Sequence, residues 1–186
     1  MEAGKVKWFV IVNPVAGGGR GLDHFPQISR YLRDAQILCE PVFTEHKFHA
    51  TELTVTAVNE GYRHIIVVGG DGTLHEVVNG LFIQQEVCPS DVLLAVVAVG
   101  TGNDFLKNFG DDAEKFRDAE NLWNGPQFPM DAIDVNGRVA LTIACSGIDA
   151  RVAADVHKYS ESPLLDGKGS YIYSLAVNFL FKGIGS

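Results

Sequence analysis

The sequence predicts an α/β fold built on a parallel sheet, and three observations carry that prediction. Four apolar segments of strand length alternate with segments whose apolar residues recur at helical spacing, the order produced by helical crossovers. The apolar segments are almost unbroken, as expected of strands buried on both faces. Three of the four end in glycine-rich loops, and the chain has 20 glycines in 186 residues, about 11% against a usual ~7%.

The first half of the pattern begins with residues 8–12, an apolar run of strand length that ends at Asn13-Pro14. Residues 22–35 carry apolar side chains at helical spacing and predict a helix. Residues 37–43 predict a second strand, which Pro41 favours placing at a sheet edge because proline has no backbone N–H to donate. Apolar residues between positions 50 and 58 predict a second helix that stops at Gly61.

The second half continues with a strand at residues 65–68, a helix at 73–82, a strand at 93–99 and the start of a helix at 103–109. The pattern changes near Gly125-Pro126. Two short apolar runs around Asn136-Gly137 predict a hairpin, since both turn residues tolerate positive φ. Helices are expected at residues 148–159 and 170–181. We therefore expect an α/β domain over residues 1–125 and the beginning of a second, β-rich domain over residues 126–186.

Composition excludes several classes of protein. The formal net charge of −8 argues against a nucleic-acid partner, because binding to phosphates needs a basic face. The longest clean apolar run, residues 93–99, is far shorter than the ~18 residues of a membrane span. The three cysteines are odd in number and widely separated, which favours reduced thiols and a cytoplasmic location.

The first glycine-rich loop, residues 13–21, reads Asn-Pro-Val-Ala-Gly-Gly-Gly-Arg-Gly and connects a predicted strand to a predicted helix. Glycines there let the backbone approach a ligand closely and expose its N–H groups. A flexible surface turn explains this loop equally well.

The second loop is Gly69-Gly70-Asp71-Gly72-Thr73, between a buried strand and an amphipathic helix. Its glycines remove side chains that would block a phosphate, and the helix N-terminus supplies free N–H groups with a partial positive charge. Thr73 can cap that helix. Because a carboxylate repels phosphate, Asp71 is expected to hold Mg²⁺ or to orient a hydroxyl nucleophile; the alternative is that Asp71 only stabilises the turn.

The third loop, Gly-Thr-Gly-Asn-Asp-Phe at residues 100–105, again follows a strand. Thr101 and Asn103 can donate hydrogen bonds to phosphate oxygens, and Asp104 adds a second carboxylate. Phe105 is expected in the core and not against a base. Neither this loop nor the second is a Walker A motif, since no Gly-Lys-Ser/Thr follows. Two acidic loops of phosphate-binding type at one sheet edge predict a metal–polyphosphate ligand, most simply Mg-ATP.

The three loops together resemble the diacylglycerol kinase catalytic domain, in the family's order and at fitting intervals. The resemblance is greatest to the bacterial soluble lipid kinases, which are similar to sphingosine kinases. NAD kinases and phosphofructokinases share the second loop, but the third separates lipid kinases from them. Further matches are Thr44 with His49-Ala50, an acidic position at Asp131 or Asp134, and the segments at residues 147–150 and 169–171. Ala98, where the family usually has Pro, and His75, in place of a common Asn, depart from its pattern.

The resemblance implies a nucleotide-binding domain of the phosphofructokinase and NAD-kinase type, followed by an antiparallel β-sandwich domain that begins in this chain. It also implies ATP- and Mg²⁺-dependent transfer of the γ-phosphoryl group to a lipid hydroxyl, as in diacylglycerol or a sphingoid base. Asp71 and Asp104 would be catalytic, and Asp71 with Asp131 would hold the metal. The residues expected at the nucleotide are Asn13, Gly17, Thr44, Gly69, Gly70, Gly72, Thr73, Thr101, Gly102 and Asn103.

Partners and alternatives follow from the same comparison. The expected partners are a lipid alcohol, a membrane surface contacted transiently and, as in some family members, a second copy of the protein. Family members are longer than 186 residues, so an N-terminal fragment is expected. The alternatives are a kinase acting on NAD or a sugar phosphate, and a nucleotide-binding module without turnover.

Overall fold

The computed structural model, which describes residues 7–117, 127–160 and 172–174, contains the predicted parallel sheet. Its four strands run in the order β2-β1-β3-β4. The α/β class is thereby confirmed. The strands are β1 (Lys7–Val12), β2 (Leu38–Phe43), β3 (His64–Gly69) and β4 (Leu93–Ala98), and the helices between them are α1 (Arg20–Asp34), α2 (His49–Asn59) and α3 (Asp71–Ile83).

The strand order places a topological switch between β1 and β3. The chain leaves β1 toward β2 on one side and later returns to add β3 and β4 on the other. The strand predicted at the edge, β2, is at the edge, where Pro41 lies opposite Val10 of β1. In open α/β sheets, ligands bind outside the carboxyl ends of the strands at such a switch.

Helices cover both faces of the sheet, which explains the unbroken apolar strands. On one face Val10 and Val12 of β1 pack with Ile28 and Leu32 of α1. On the other face Phe9 and Ile11 belong to a cluster that includes residues of α2 and α3. Successive strand residues point to opposite faces, so each strand contributes to both clusters.

Two helices differ from their predicted form. Helix α3 begins at Asp71, two residues earlier than predicted, because Gly70 in extended conformation is its N-cap. The helix expected from residue 103 is a 3₁₀ segment, Asp104–Arg117, interrupted at Gly110 by a left-handed φ of 53°. Phe105 is buried in the core, as predicted.

The predicted hairpin is present as β5 (Ile133–Val135) and β6 (Arg138–Ala140), with positive φ at both Asn136 and Gly137. Asn79 of α3 holds it: the Asn79 Nδ2 donates to the Val139 carbonyl (2.9 Å) and the Val139 N–H donates to Asn79 Oδ1 (3.0 Å). The side chain thus replaces a neighbouring strand for one residue of β6.

The chain divides into two compact units, Met1–Thr142 and Ile143–Ser186. The hairpin therefore belongs to the unit that contains the sheet. The domain boundary predicted near residue 126 lies outside the described residues and stays a prediction. In the second unit α4 spans Ile148–Ser160 and residues 172–174 are helical; the rest of the helix predicted at 170–181, and the match at 169–171, lie outside the described part. Within the part of the chain that the structure describes, every helix is too short or too polar to span a bilayer.

Candidate functional site

The candidate site is the carboxyl-terminal edge of the sheet, where the three glycine-rich loops follow β1, β3 and β4. Because β1 and β3 are adjacent and the chain diverges between them, the first and second loops leave the sheet side by side. The third loop follows β4, the neighbour of β3. The fold therefore brings together loops that are about 30 to 90 residues apart in the sequence.

Asn13 joins the first loop to the second. Its Nδ2 donates to the Thr73 hydroxyl oxygen at 2.9 Å, while its Oδ1 accepts the Val15 N–H at 3.1 Å. Asparagine suits this position because its side-chain amide carries both donors and an acceptor. The bond spans the switch point and ties the first turn of α3 to the end of β1.

Asp71 joins the second loop to the third. Its Oδ2 accepts the Asp104 N–H at 2.9 Å and its Oδ1 accepts the Phe105 N–H at 3.0 Å. These are the first two residues of the 3₁₀ segment, whose opening N–H groups have no partner within it. Both carboxylate oxygens of Asp71 are thereby engaged in fixing the third loop, although each keeps a further lone pair.

Arg20 closes the connection between the first and third loops. Its Nε donates to the Gly17 carbonyl at 2.9 Å and its Nη2 donates to the Gly100 carbonyl at 3.2 Å. The side chains of Asn13, Asp71 and Arg20 thus link the first loop to the second, the second to the third, and the third back to the first. We call this closed set of contacts the loop ring.

The glycines of the site have two different roles. Gly70 and Gly100 meet backbone to backbone: a Cβ on Gly100 would lie 2.6 Å from the Gly70 Cα, far inside van der Waals contact. Here glycine permits the loops to pack. At Gly72 a Cβ would have nothing within 4 Å, so the second residue of α3 faces open space beside the helix N-terminus, where an anion is favoured.

Asn103 has a buried oxygen without a partner. The residue is only 4% exposed and has a left-handed φ of 52°. Its Nδ2 donates to the Gly100 carbonyl at 2.8 Å, whereas its Oδ1 has no hydrogen bond. Exchanging the amide atoms would place two acceptors face to face, so the orientation is fixed by Gly100. Beside it lies a cavity of about 10 Å³, room for about one water.

Asp104 and Lys107 form the charged part of the third loop. The Asp104 carboxylate is about half exposed and pairs with the Lys107 ammonium. The hydrogen bond to Asp104, with a further contribution from the charge of Asp71, raises the pKa of Lys107. A cation therefore pairs with Asp104 and lies within electrostatic reach of Asp71, and positive charge is what a site for polyphosphate requires.

The structure brings together most of the predicted residues, with one correction. Thr73 does not cap α3: it is the third residue of the helix, and its buried hydroxyl accepts the hydrogen bond from Asn13. Thr101 and Gly102 are exposed, and a Cβ on Gly102 would lie 3.4 Å from Asp71 Oδ2. A side chain at Gly17 or Gly69 would collide with neighbouring atoms, and a Cβ on Gly69 would lie 2.5 Å from the Thr73 side chain.

Two predicted residues lie outside the three loops. Thr44 follows β2, and its N–H donates to the Val12 carbonyl at the end of β1. Asp131 is exposed just before β5, and within the described residues no hydrogen bond or ion pair joins it to the three loops. Their nucleotide and metal roles stay predictions.

Sequence reasoning missed Arg20 and Lys107. Arg20 stands among the glycines of the first loop, and Lys107 lies three residues after Asp104. Their positive charge could have identified them, because Arg20 and Lys107 are both cations beside a motif of phosphate-binding type. Arg20 lies inside the first loop and Lys107 just beyond the third, but the predictions rested on the glycines, carboxylates and hydroxyl or amide groups of the loops, so neither cation was selected.

Comparison with known proteins agrees with this geometry. The family model for the diacylglycerol kinase catalytic domain matches residues 7–135. The chain is 33% identical over 150 residues to a diacylglycerol kinase of Bacillus subtilis, a match that covers 79% of this chain and 48% of that protein. It is 38% identical over 88 residues to mouse sphingosine kinase 1, covering 42% of this chain and 23% of that protein.

A solved structure shows the same likeness. The crystal structure of a diacylglycerol kinase from Bacillus anthracis matches with a TM-score of 0.61 and 29% identity, over 74% of this chain and 50% of that one. The chain spans about half or less of the length of these relatives. The family model alone covers well over half of this chain, and all three glycine loops lie inside the match. The chain therefore belongs to the diacylglycerol kinase catalytic-domain family.

Proposed function

We propose that the protein containing this chain transfers the γ-phosphoryl group of ATP to a lipid hydroxyl, with Mg²⁺. The observation that carries the proposal is the loop ring, which fixes three phosphate-type loops at the switch point of the sheet. Phosphoryl transfer needs positioning and charge neutralisation more than covalent chemistry, and a rigid set of loops with carboxylates and cations is suited to both.

The site fits the phosphates of ATP at the start of α3. The unobstructed face of Gly72 lies at the helix N-terminus, whose free N–H groups and positive dipole end favour phosphate. Gly18 and Gly19 of the first loop are equally open. Arg20 of the first loop and Lys107 after the third loop contribute positive charge. Thr101, exposed in the third loop, would donate from its hydroxyl.

The donor set also fits Mg²⁺. The ion prefers oxygen ligands from carboxylates, carbonyls and water. Asp71, whose carboxylate oxygens each keep a lone pair, and the unpartnered Oδ1 of Asn103 supply such oxygens. When bound, the ion neutralises charge on the transferring phosphoryl group. Asp131 remains a proposed further ligand from the family resemblance.

The two carboxylates have different proposed tasks. Both carboxylate oxygens of Asp71 accept hydrogen bonds from backbone N–H groups, which suits a residue that positions the third loop. Asp104 has a half-exposed carboxylate whose partner is a flexible lysine. We therefore assign to Asp104 the contact with the incoming lipid hydroxyl, where a carboxylate can accept the proton that the hydroxyl loses.

The finer properties of the whole protein are proposals on the same basis. The sheet unit is proposed to be a nucleotide-binding domain of the phosphofructokinase and NAD-kinase type, and residues 126–186 are proposed to contain the beginning of the second domain. Contact with a membrane is proposed to be transient, because the net charge of −8 offers no polybasic anchor. A cytoplasmic location and a homodimer are proposals from the sequence and the family.

The test is a kinase assay on the protein at its natural length, with Mg-ATP and a panel of diacylglycerol, sphingoid bases and other lipid alcohols. Phosphorylation of a lipid is expected, and Asp104→Asn should lower kcat by about 10²-fold or more because the proton acceptor is lost. The matched control is Asp112→Asn, whose carboxylate pairs with Lys115 away from the three loops. Phosphorylation of NAD or a sugar phosphate instead of any lipid, or ATP binding without turnover, would overturn the proposal.

A further inference from the structure

Two histidines and a glutamate form a cluster between β2 and α2, outside the loop ring. His46 lies in the connection, His49 is the first residue of α2, and Glu52 follows within the first turn. One ligand atom from each residue lies within 4.8 Å of the other two. His49 and Glu52 are three residues apart on the helix and are therefore neighbours on its surface. The turn before α2 brings His46 against both of them.

His46 is oriented as metal-binding histidines usually are. Its Nδ1 lies 3.1 Å from the Lys47 carbonyl, so this nitrogen carries the proton and donates. Such a bond to a backbone carbonyl commonly fixes the ring of a metal ligand. The other nitrogen, Nε2, is thereby left with its lone pair, and it faces Glu52 Oε2 at 3.9 Å.

His49 brings a second imidazole alongside. Its ring stacks on that of His46, with the centroids 4.5 Å apart and the planes 14° from parallel. His49 Nδ1 accepts the Glu45 N–H at 3.0 Å. A metal can take this lone pair at little cost, since Glu45 is exposed and water can replace the acceptor of its N–H.

The positive end of α2 does not oppose a cation there. A helix N-terminus ordinarily disfavours positive charge. Here the Glu76 carboxylate, from α3, accepts the Phe48 N–H at 3.0 Å and the Ala50 N–H at 3.2 Å. A negative charge is thus already placed against the first turn, beside the cluster.

We propose that His46, His49 and Glu52 bind a divalent transition metal of the Zn²⁺ class. Imidazole nitrogens with one carboxylate suit zinc, whereas Mg²⁺ prefers oxygen alone, so this site differs from the proposed Mg²⁺ site in the loops. Tetrahedral Zn²⁺ places its ligand atoms roughly 3.3 Å apart. The side chain of Glu52 is more than half exposed, so rotation about its side-chain bonds can close the remaining gap while His46 keeps its orientation. The fourth position falls to water.

The test is calorimetric titration of the 186-residue chain with ZnCl₂, accompanied by absorption spectra of Co²⁺ in its place. One site per chain is expected, with a tetrahedral Co²⁺ spectrum that lacks thiolate charge-transfer bands. His46→Ala and Glu52→Gln should each weaken Zn²⁺ binding by about tenfold or more. His24→Ala removes an exposed imidazole from α1 and serves as the matched control.

The outcome is decided by the variants. Circular dichroism should show that all three fold like the parent, since the side chains that change are exposed. Unchanged Zn²⁺ affinity in His46→Ala, an equal loss in His24→Ala, or a thiolate signature from the exposed Cys88 and Cys145 would overturn the proposal. Zn²⁺ calorimetry and Co²⁺ absorption spectra do not depend on kinase activity. A failed lipid kinase assay would therefore leave the conclusion about the metal site unchanged.

Discussion

At the scale of the single residue, glycines of one sequence motif serve opposite purposes. Gly100 lies against Gly70, and there the missing side chain lets two loops touch. Gly72 has only open space where its side chain would be. The packed glycines therefore shape the loops, whereas Gly72 leaves room for a ligand; the nucleotide contacts of Gly69 and Gly70 stay predictions.

The contrast predicts different results for two alanine substitutions. Gly72→Ala should leave the free energy of unfolding unchanged or slightly raise it, since alanine favours the helix by about 0.5–1 kcal/mol. It should nevertheless weaken ATP binding about tenfold by filling the space at the start of α3. Gly100→Ala should destabilise the fold by about 1–3 kcal/mol through overpacking. Urea denaturation and calorimetry with ATP separate these effects, and normal ATP affinity in Gly72→Ala would contradict a phosphate at that position.

Asp71 shows why loss of ligand binding alone does not define a role. Its two oxygens hold the N–H groups of Asp104 and Phe105. Removing the carboxylate would therefore release the third loop, with or without a metal. The residue that tests chemistry directly is Asp104, which fixes no other loop through its side chain.

At the scale of the element, α2 depends on α3 for its N-terminal cap. Its own N-cap residue, Phe48, has a left-handed φ of 68° and no side-chain oxygen to bond the free N–H groups. Glu76 supplies both carboxylate oxygens from α3, and its backbone carbonyl accepts the Thr51 hydroxyl at 2.9 Å. The two helices are thereby joined by polar contacts as well as by their apolar faces.

Substitution of Glu76 by Gln should destabilise the protein by about 1 kcal/mol, the usual value of a lost N-cap. The amide keeps one acceptor but turns an N–H₂ group toward a second N–H donor. Urea denaturation measures the change, and Glu60→Gln, at the other end of α2, is the control because that carboxylate is exposed at the C-cap. A surface change of this kind should stay within about 0.5 kcal/mol. Equal effects of the two substitutions would show that Glu76 is not a cap.

At the scale of the whole molecule, the sheet was predictable and the loop ring was not. Continuous apolar strands, helical spacing and Pro41 gave the strands and the edge, because burial on both faces leaves a direct mark on composition. The bonds from Asn13 to Thr73 and from Asp71 to Asp104 span 60 and 33 residues. Nothing in local periodicity encodes such pairs.

The contacts of Asp71 and Arg20 could not be predicted because their partners are backbone groups. Asp71 and Arg20 bond to N–H and carbonyl groups, which every residue type but proline offers in full, so no partner residue stands out in the sequence. Thr73 was predicted as a cap because threonine favours that position. The helix instead begins at Asp71 with Gly70 as its N-cap, which places Thr73 third in the first turn, where its hydroxyl accepts the hydrogen bond from Asn13.

A closed ring of contacts should behave cooperatively, and this gives the last prediction. Asn13→Ala removes the hydrogen bond between the first and second loops. Arg20→Met removes the hydrogen bond between the first and third loops but keeps the apolar part of the side chain. Each should cost about 1 kcal/mol of unfolding free energy, as typical hydrogen bonds do. The double variant should lose less than the sum, by about 0.5 kcal/mol or more, because contacting residues in one network couple.

The control for the ring pairs Arg20→Met with Tyr62→Phe. The Tyr62 hydroxyl donates to Glu40 at 2.7 Å, near the start of β3 and away from the loops. Sites that share no partner add within about 0.3–0.5 kcal/mol, so this pair should be additive. If the Asn13 and Arg20 substitutions were also additive, each link would hold its loops independently. The positioning on which the proposed phosphoryl transfer depends would then be the sum of separate links and not the property of a closed ring.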